Sequence, residues 1–278
     1  MIYFGGMEMK AVKNHYLQDL LLSEPIRRPV LETALGSLNL PEGSRGLDVG
    51  CGPGLGTRIL AHIIGPRGQV VGLDYNPEFI QCARVLSDCS IGTATADYQV
   101  GDACRLSWDD NAFDWACSID FIGYGGPDIH TLLGELVRVI KPGGMAAIMA
   151  WSSQILLPGY PKLEAGLNAT KAGMAPFQDH MQPEQHFLRS RRCFHRLGLN
   201  QTEVRTYAGW VNAPLSGDIR DALSSLLRMR WGSSREEIGH ELWGAYQQIC
   251  DPESPDFILN LPEYHGFFTY TLIQARVL

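Results

Sequence analysis

The stretch Leu47-Asp48-Val49-Gly50-Cys51-Gly52-Pro53-Gly54-Leu55-Gly56 constrains this chain more than any other. It follows Gly43-Ser44-Arg45-Gly46 and precedes a run from Thr57 to Ile64 with helical character. The order is strand, glycine loop, helix. Glycine has no Cβ, so it reaches left-handed backbone and lets a ligand approach the main chain. The helix that follows offers unpaired N–H groups and a partial positive charge, which favour carboxylate or phosphate. The first expectation is a nucleotide-bearing ligand. A glycine loop taken alone is equally compatible with a plain turn.

The segments beyond the loop decide between these. Gln69-Val70-Val71-Gly72-Leu73-Asp74 reads as a buried strand ending in an acid. A carboxylate at Asp74 can accept both hydroxyls of a ribose, since it has two acceptor oxygens. It would also serve as a helix N-cap. Pro77, Phe79, Ile80, Ala83 and Leu86 describe the next helix. Asp97 to Ala103 is a third strand ending in Gly101-Asp102, and Phe113 to Asp120 is a fourth. A helix from Pro127 to Ile140 shows Leu132, Leu133, Leu136 and Val137 on one face. Lys141-Pro142-Gly143-Gly144 stops it, and Met145 to Trp151 is strand five. This alternation argues a parallel, doubly wound sheet. Ligands of such sheets bind outside the carboxyl ends of the strands. The glycine-rich loop 121–127 is therefore expected beside the reacting group.

The flanks read differently. Val12, Tyr16, Leu17, Leu20 and Leu21 share a face of a helix over Lys10–Leu22, which Pro25 stops. Val30 to Leu38 marks a second helix, closed near Pro41. Residues 152–182 show no readable period. Pro183 to Leu197 looks helical and ends at Gly198. Thr202 to Trp210 reads as a strand, and 214–250 as helix, with Ser234 and Glu237 spaced as a capping box. Phe267 to Val277 alternates like a final strand.

Two cofactor frames compete at the loop. A dinucleotide fingerprint wants G-x-G-x-x-G. Counting from Gly50 and Gly52 puts Leu55 at the third position, and counting from Gly52 and Gly54 puts Thr57 there. What fits is Asp48-x-Gly50-x-Gly52-x-Gly54, which resembles motif I of the class I S-adenosylmethionine-dependent methyltransferases. Asp74, Gly101-Asp102 and Val137-x-x-Ile140-Lys141-Pro142-Gly143-Gly144 stand in that family's order and spacing. The quinone-biosynthesis and small-metabolite branch is the most similar.

The resemblance implies an α/β fold with a Rossmann-like seven-stranded sheet, mostly parallel, with an antiparallel C-terminal strand. It implies one methyltransferase domain, with an N-terminal helical cap (1–40) and a cofactor-binding core (41–151). A variable segment (152–210), a helical insertion (211–265) building the acceptor pocket and a final strand (266–278) would follow. The cofactor would be S-adenosyl-L-methionine. Asp48, Gly50, Cys51, Gly52 and Gly54 would hold its methionine moiety, and Asp74 its ribose. Tyr75 or Asn76 would flank adenine, which Asp102 and the N–H of Ala103 would read. Ser118 and Ile119 would lie near its amino group or sulfur.

Bulk properties exclude some classes. The net charge is −7, and residues 1–140 carry 10 Lys+Arg against 17 Asp+Glu. An acidic chain is a poor nonspecific binder of nucleic acid, whose affinity comes from neutralising phosphates. The seven cysteines are scattered, without a C-x-x-C pair. They argue against a zinc site or disulfide framework and for a reducing compartment. No signal peptide and no apolar run of about 18 residues is present, so the expected location is cytoplasmic, away from membranes.

Methyl transfer needs the nucleophile held in line and water excluded. A general base is needed only where the acceptor carries a blocking proton. The sequence shows no catalytic motif and no metal site. His15, Tyr16, Tyr124, Tyr264 and His265 lie on cap or strand-end segments and are candidates for the acceptor pocket, with packing or surface as the plainer role of each. Trp151, Trp210, Trp231 and Trp243 would line an apolar pocket or simply pack. The acceptor is expected to be a small, partly apolar molecule. A binding module without transferase activity and a nicotinamide dehydrogenase are the rival readings; the failed G-x-G-x-x-G frame disfavours the second.

Overall fold

The computed structural model describes residues 3–4, 7–8, 14–87, 94–122, 128–174 and 181–278. A hairpin of two-residue strands, β1 (Tyr3–Phe4) and β2 (Met7–Glu8), precedes two helices, α1 (His15–Leu22) and α2 (Glu24–Gly36). The core then alternates: β3 (Arg45–Val49), α3 (Leu55–Ile64), β4 (Gln69–Asp74), α4 (Pro77–Ser87), β5 (Thr95–Val100), β6 (Phe113–Ile119), α5 (Ile129–Val139) and β7 (Ile140–Ile155). The rest is α6 (Pro161–Asn168), α7 (Lys171–Met174), α8 (Arg191–Arg196), β8 (Glu203–Asn212), α9 (Gly217–Trp231), α10 (His240–Cys250) and β9 (His265–Arg276).

Seven strands form one sheet in the order β5-β4-β3-β6-β7-β9-β8. β3, β4, β5, β6 and β7 pair in parallel, while β9 runs antiparallel to both β7 and β8. This is the Rossmann-like sheet that the sequence predicts. Strand order reverses at β3, which opens a crevice at the carboxyl ends of β3 and β6.

Successive side chains of a strand face opposite sides, and this sorts the core. Leu47 and Val49 of β3 join Leu132, Leu133 and Leu136 of α5 on one face. Ile59 and Leu60 of α3, Val30 and Leu31 of α2, and Leu226 and Trp231 of α9 pack on the other. Each fully buried leucine contributes roughly 1.5–3 kcal/mol over exposure. Asp128 caps α5, accepting from the main-chain nitrogens of His130 (2.9 Å) and Thr131 (3.2 Å).

Several segments depart from the reading above. Pro25 does not simply stop α1; it opens α2, which also carries Pro29 within it. The first helix begins at His15, capped by Asn14, and Val12 lies outside the described residues. The Lys141–Gly144 turn is absorbed into β7 as an irregularity, with Gly143 in left-handed backbone and bonded to Val277. The segment 183–197 breaks into two short 3-10 turns and α8. No capping box forms at Ser234: Gly239 precedes α10, and Glu237 accepts instead from the main-chain nitrogen of Lys171 at 2.9 Å. Tertiary partners outcompete the local signal there.

Candidate active site

The glycine loop turns from β3 into α3 with Gly50, Gly52 and Gly54 at φ of 75°, 53° and 84°. Gly50 is required twice over. Its backbone is left-handed, and a Cβ there would meet the Phe121 ring at 2.3 Å. Gly50 and Cys51 donate to the Leu73 carbonyl at 2.7 and 3.0 Å, which pins the loop to β4. Gly54 caps α3 without a side-chain hydrogen bond, leaving that helix N-terminus to a ligand.

Asp74 closes the loop from the other side. Its two carboxylate oxygens accept from the main-chain nitrogens of Gly52 and Asn76, each at 2.9 Å. A carboxylate has about four acceptor sites, so acceptor capacity remains beyond these bonds. Burial pushes its pKa up, against the bonds from Asn76, Gly52 and Tyr75. The N-cap role belongs to Asn76, whose side chain accepts from Glu78 at 2.9 Å. Tyr75 beside it is 71% exposed.

Asp48 sits on β3 just before the loop. Its carboxylate is buried and accepts from the Thr57 hydroxyl at 2.7 Å, with the Cys117 thiol at 3.9 Å. It fastens α3 to β3 behind the loop. Burial lifts its pKa from 3.8 to about 6, with a nearby Asp74 charge adding and the Thr57 and Cys117 bonds opposing. Cys51 is buried beside Gly72 and Tyr98, and burial holds its thiol protonated. Asp102 is an exposed turn residue accepting from Cys104 at 2.8 Å, next to buried Ala103. Ile119 faces Gly56 and the Asp48 carboxylate. Ser118 is buried and its hydroxyl has no hydrogen-bond partner among the described residues.

Beyond β6 stands a polar cluster that sequence reasoning missed. Asp120, at φ 51°, accepts from the Tyr270 hydroxyl (2.7 Å) and the Trp151 main-chain nitrogen (3.0 Å). Arg27 of α2 lies 3.5 Å from its carboxylate. A left-handed non-glycine residue costs about 1–3 kcal/mol and marks a locally over-determined site. Burial raises the Asp120 pKa, opposed by Arg27, Tyr270, Trp151 and Arg230. The signal available was an acid at the carboxyl end of a strand before a glycine-rich loop. Arg27 and Tyr270 are too distant in sequence to have been linked to it.

The other candidates separate. Tyr16 is half-exposed, yet burial of its hydroxyl pushes its pKa up, and that hydroxyl feels Arg27, Asp120, Arg230 and Asp74. Its ring lies 6.4 Å from that of Phe79 on α4. His15 is exposed at the start of α1. Tyr264 is buried and donates to the Leu156 carbonyl at 3.2 Å, a packing role. His265 is exposed and bonds Asn212 at the β8 edge. Tyr124 lies outside the described residues. Of the tryptophans, Trp151 stacks on Phe268 at 4.4 Å and faces the cluster, whereas Trp210 is 64% exposed on β8. Trp231 is buried, donating to Asn168 at 3.2 Å, and Trp243 stacks on Tyr246.

The helices converge over these groups. Asn14 bonds Glu78 at 3.0 Å, and Arg228 of α9 bonds Asp19 of α1, so α1 runs across the crevice from α4 to α9. Arg230 lies 5.3 Å from the Trp151 ring centre. Among the described residues no helix is long and apolar enough to cross a membrane, and no group of His, Cys, Asp or Glu could hold a metal.

The loop, the acid at the end of β4 and the reversed strand order frame a crevice of the kind that binds ligands in open α/β sheets. Residues 47–148 match the methyltransferase domain family. A demethylmenaquinone methyltransferase of Staphylococcus carnosus is 36% identical over 195 residues, covering 64% of this chain and 76% of that protein. One of Staphylococcus epidermidis is 33% identical over 132 residues, 46% of this chain. The chain spans 52% of the length of that relative. The 2-phytyl-1,4-naphtoquinone methyltransferase of Synechococcus elongatus is 39% identical over 110 residues, 38% of this chain and 46% of that one. Among solved structures, the YcgJ protein of Bacillus subtilis shares the fold at TM-score 0.51 and 18% identity, covering 89% of this chain and 97% of that one. The chain belongs to the class I S-adenosylmethionine-dependent methyltransferases, on their quinone-biosynthesis-like branch.

Proposed function

We propose that this chain transfers a methyl group from S-adenosylmethionine to a small, partly apolar acceptor, by in-line displacement. The observation that carries the reading is the left-handed glycine loop locked to Asp74 at the switch point of the sheet. The site fits the group: Gly54 leaves the α3 N-terminus uncovered for a carboxylate, and Asp74 retains acceptor capacity for a ribose. When bound, the cofactor supplies a methyl carbon already activated by a sulfonium. Asp48 keeps α3 in register, while Tyr75, Asp102 and Ala103 are assigned to the adenine end, Ser118 and Ile119 to the sulfur end.

The remaining tasks are orientation and exclusion of water. Helices α1, α2 and α9 form the roof that does this, so the acceptor wall is assigned to the cap and to 211–265. Asp120, held by Tyr270 and Arg27, is positioned to take a proton from an acceptor that carries one. The names of the relatives make a reduced quinone the first acceptor to test. The free thiols of the described cysteines support a reducing, cytoplasmic setting. Calorimetry should detect S-adenosylmethionine and S-adenosylhomocysteine and no NAD. A methyl-transfer screen over quinols and a metabolite extract should yield a product heavier by one CH2. Tight NAD binding would overturn the reading, and cofactor binding without any product would reduce it to a binding module.

A further inference from the structure

We infer that Arg27 and Trp151 together hold an oxygen atom of the acceptor, through the guanidinium Nε–H of one and the indole N–H of the other. The inference rests on the methyl-transfer reading above and adds the acceptor chemistry to it. Arg27 is 8% exposed and Trp151 4%. Neither its Nε nor the indole nitrogen has a hydrogen-bond partner among the described residues. Buried polar groups are nearly always paired, and each exception calls for an explanation. Both groups are donors only, so what is missing is an acceptor atom.

The two groups belong to one cluster. The Arg27 Nη1 lies 3.5 Å from Asp120, and the Trp151 main-chain nitrogen donates to the same carboxylate at 3.0 Å. The Trp151 and Tyr270 rings stand 5.5 Å apart, edge to face, and the Tyr270 hydroxyl occupies Asp120 at 2.7 Å. The carboxylate is thus committed to three groups and does not serve the two orphan N–H groups. The cluster also sits where an acceptor must come. Trp151 lies two residues past Met149, the β7 partner of the last residue of β6, and so is beyond the carboxyl end of β6 beside the cofactor strand β3.

The donors also select a chemistry. A guanidinium and an indole N–H attract an oxyanion or a polarised carbonyl and repel an ammonium. The rings of Trp151, Phe268 and Tyr270 pack against one another beside them, one pair stacked and the others edge to face. The acceptor class is therefore a molecule with a phenolic, enolic or carbonyl oxygen. An amine is the wrong partner for this pair.

Equilibrium dialysis of 1-naphthol and of naphthalene against the S-adenosylhomocysteine-loaded protein tests this. The probes share an apolar body and differ by one oxygen. The wild type should retain 1-naphthol about tenfold better than naphthalene. Trp151→Phe keeps the ring stack and removes the N–H; Arg27→Lys keeps the charge and removes the Nε–H. Each should lower 1-naphthol retention about tenfold and leave naphthalene unchanged, with S-adenosylhomocysteine affinity intact by calorimetry. If one variant loses its melting transition, the other decides. Equal retention of the two probes by the wild type, no retention of 1-naphthol, or losses that are equal for both probes would overturn the inference. Failure of S-adenosylhomocysteine to bind the wild type would instead strike the methyl-transfer reading. Repeating the dialysis without it keeps the two failures apart.

Discussion

Replacing Asp48 by Asn removes a charge from behind the glycine loop while keeping an oxygen for the Thr57 hydroxyl. The wild-type carboxyl is buried, and its pKa rises from 3.8 to about 6 on folding. The folded state therefore binds this proton more tightly than the unfolded chain does. A raised acid destabilises the fold when ionised, so the cost is fully present above the folded value and vanishes below the unfolded one. At about 1.36 kcal/mol for each pH unit, the rise corresponds to roughly 3 kcal/mol between pH 7 and pH 4. Asp48→Asn should thus gain up to roughly 3 kcal/mol relative to wild type as the pH climbs from 4 to 7. Urea unfolding of both proteins at steps across that interval reads the difference directly, and the other buried acids cancel in the comparison. A difference that stays flat with pH, or that moves in favour of the wild type as pH rises, would refute a buried carboxyl with a raised pKa.

Three further outcomes are expected. Asp74→Ala should weaken S-adenosylhomocysteine at least about tenfold in calorimetry, since a bond to a charged acceptor is worth roughly 1.5–3 kcal/mol; an unchanged affinity in a folded variant removes Asp74 from the site. Gly50→Ala should abolish cofactor binding, because a Cβ would sit 2.3 Å from the Phe121 ring on left-handed backbone; a variant that binds normally shows the loop to be looser than described. Tyr264→Phe should cost about 1 kcal/mol in unfolding through the lost bond to the Leu156 carbonyl, with kcat and KM unmoved; a selective fall in kcat would return Tyr264 to the acceptor site.

The sheet was legible because its signals are local. Apolar runs of strand length, glycine at fixed spacing and acids at strand ends lie within a few residues of one another, and each strand of the core falls within a few residues of its expected place. The glycine loop was legible for the same reason. Asp48 shows the limit: the motif marks the residue, but only the fold shows that its carboxylate turns inward to Thr57. Helix ends over 183–197 and at Ser234 were misread because long-range partners won, such as Glu237 reaching the backbone of Lys171. The tryptophans could not be sorted between pocket and packing because composition carries no direction. Trp210 and Trp151 look alike in sequence, yet one lies exposed on the edge strand and the other is buried at a strand end. The Asp120 cluster was hidden by separation: Arg27, Asp120 and Tyr270 come from α2, β6 and β9.

The ion pairs suggest why those separate elements act together. Glu24 of α2 is nearly buried, and Arg58 of α3 meets it at 2.8 Å. The same guanidinium donates to the Pro53 carbonyl of the glycine loop at 3.0 Å. The loop is thus tied to the helix that carries Arg27, three residues beyond Glu24. Further along, Arg228 of α9 meets the buried Asp19 of α1, which joins the late insertion to the same roof. The Arg58–Glu24 pair is buried at both ends, and removing one partner of such a pair costs about 3–5 kcal/mol, so that link is stiff; Arg228 is 57% exposed, so its link is looser. A shift of the glycine loop must therefore be passed to α2 or break the pair. Since Arg27 also touches Asp120, the glycine loop and the Asp120 cluster are two ends of one braced unit, connected through α2.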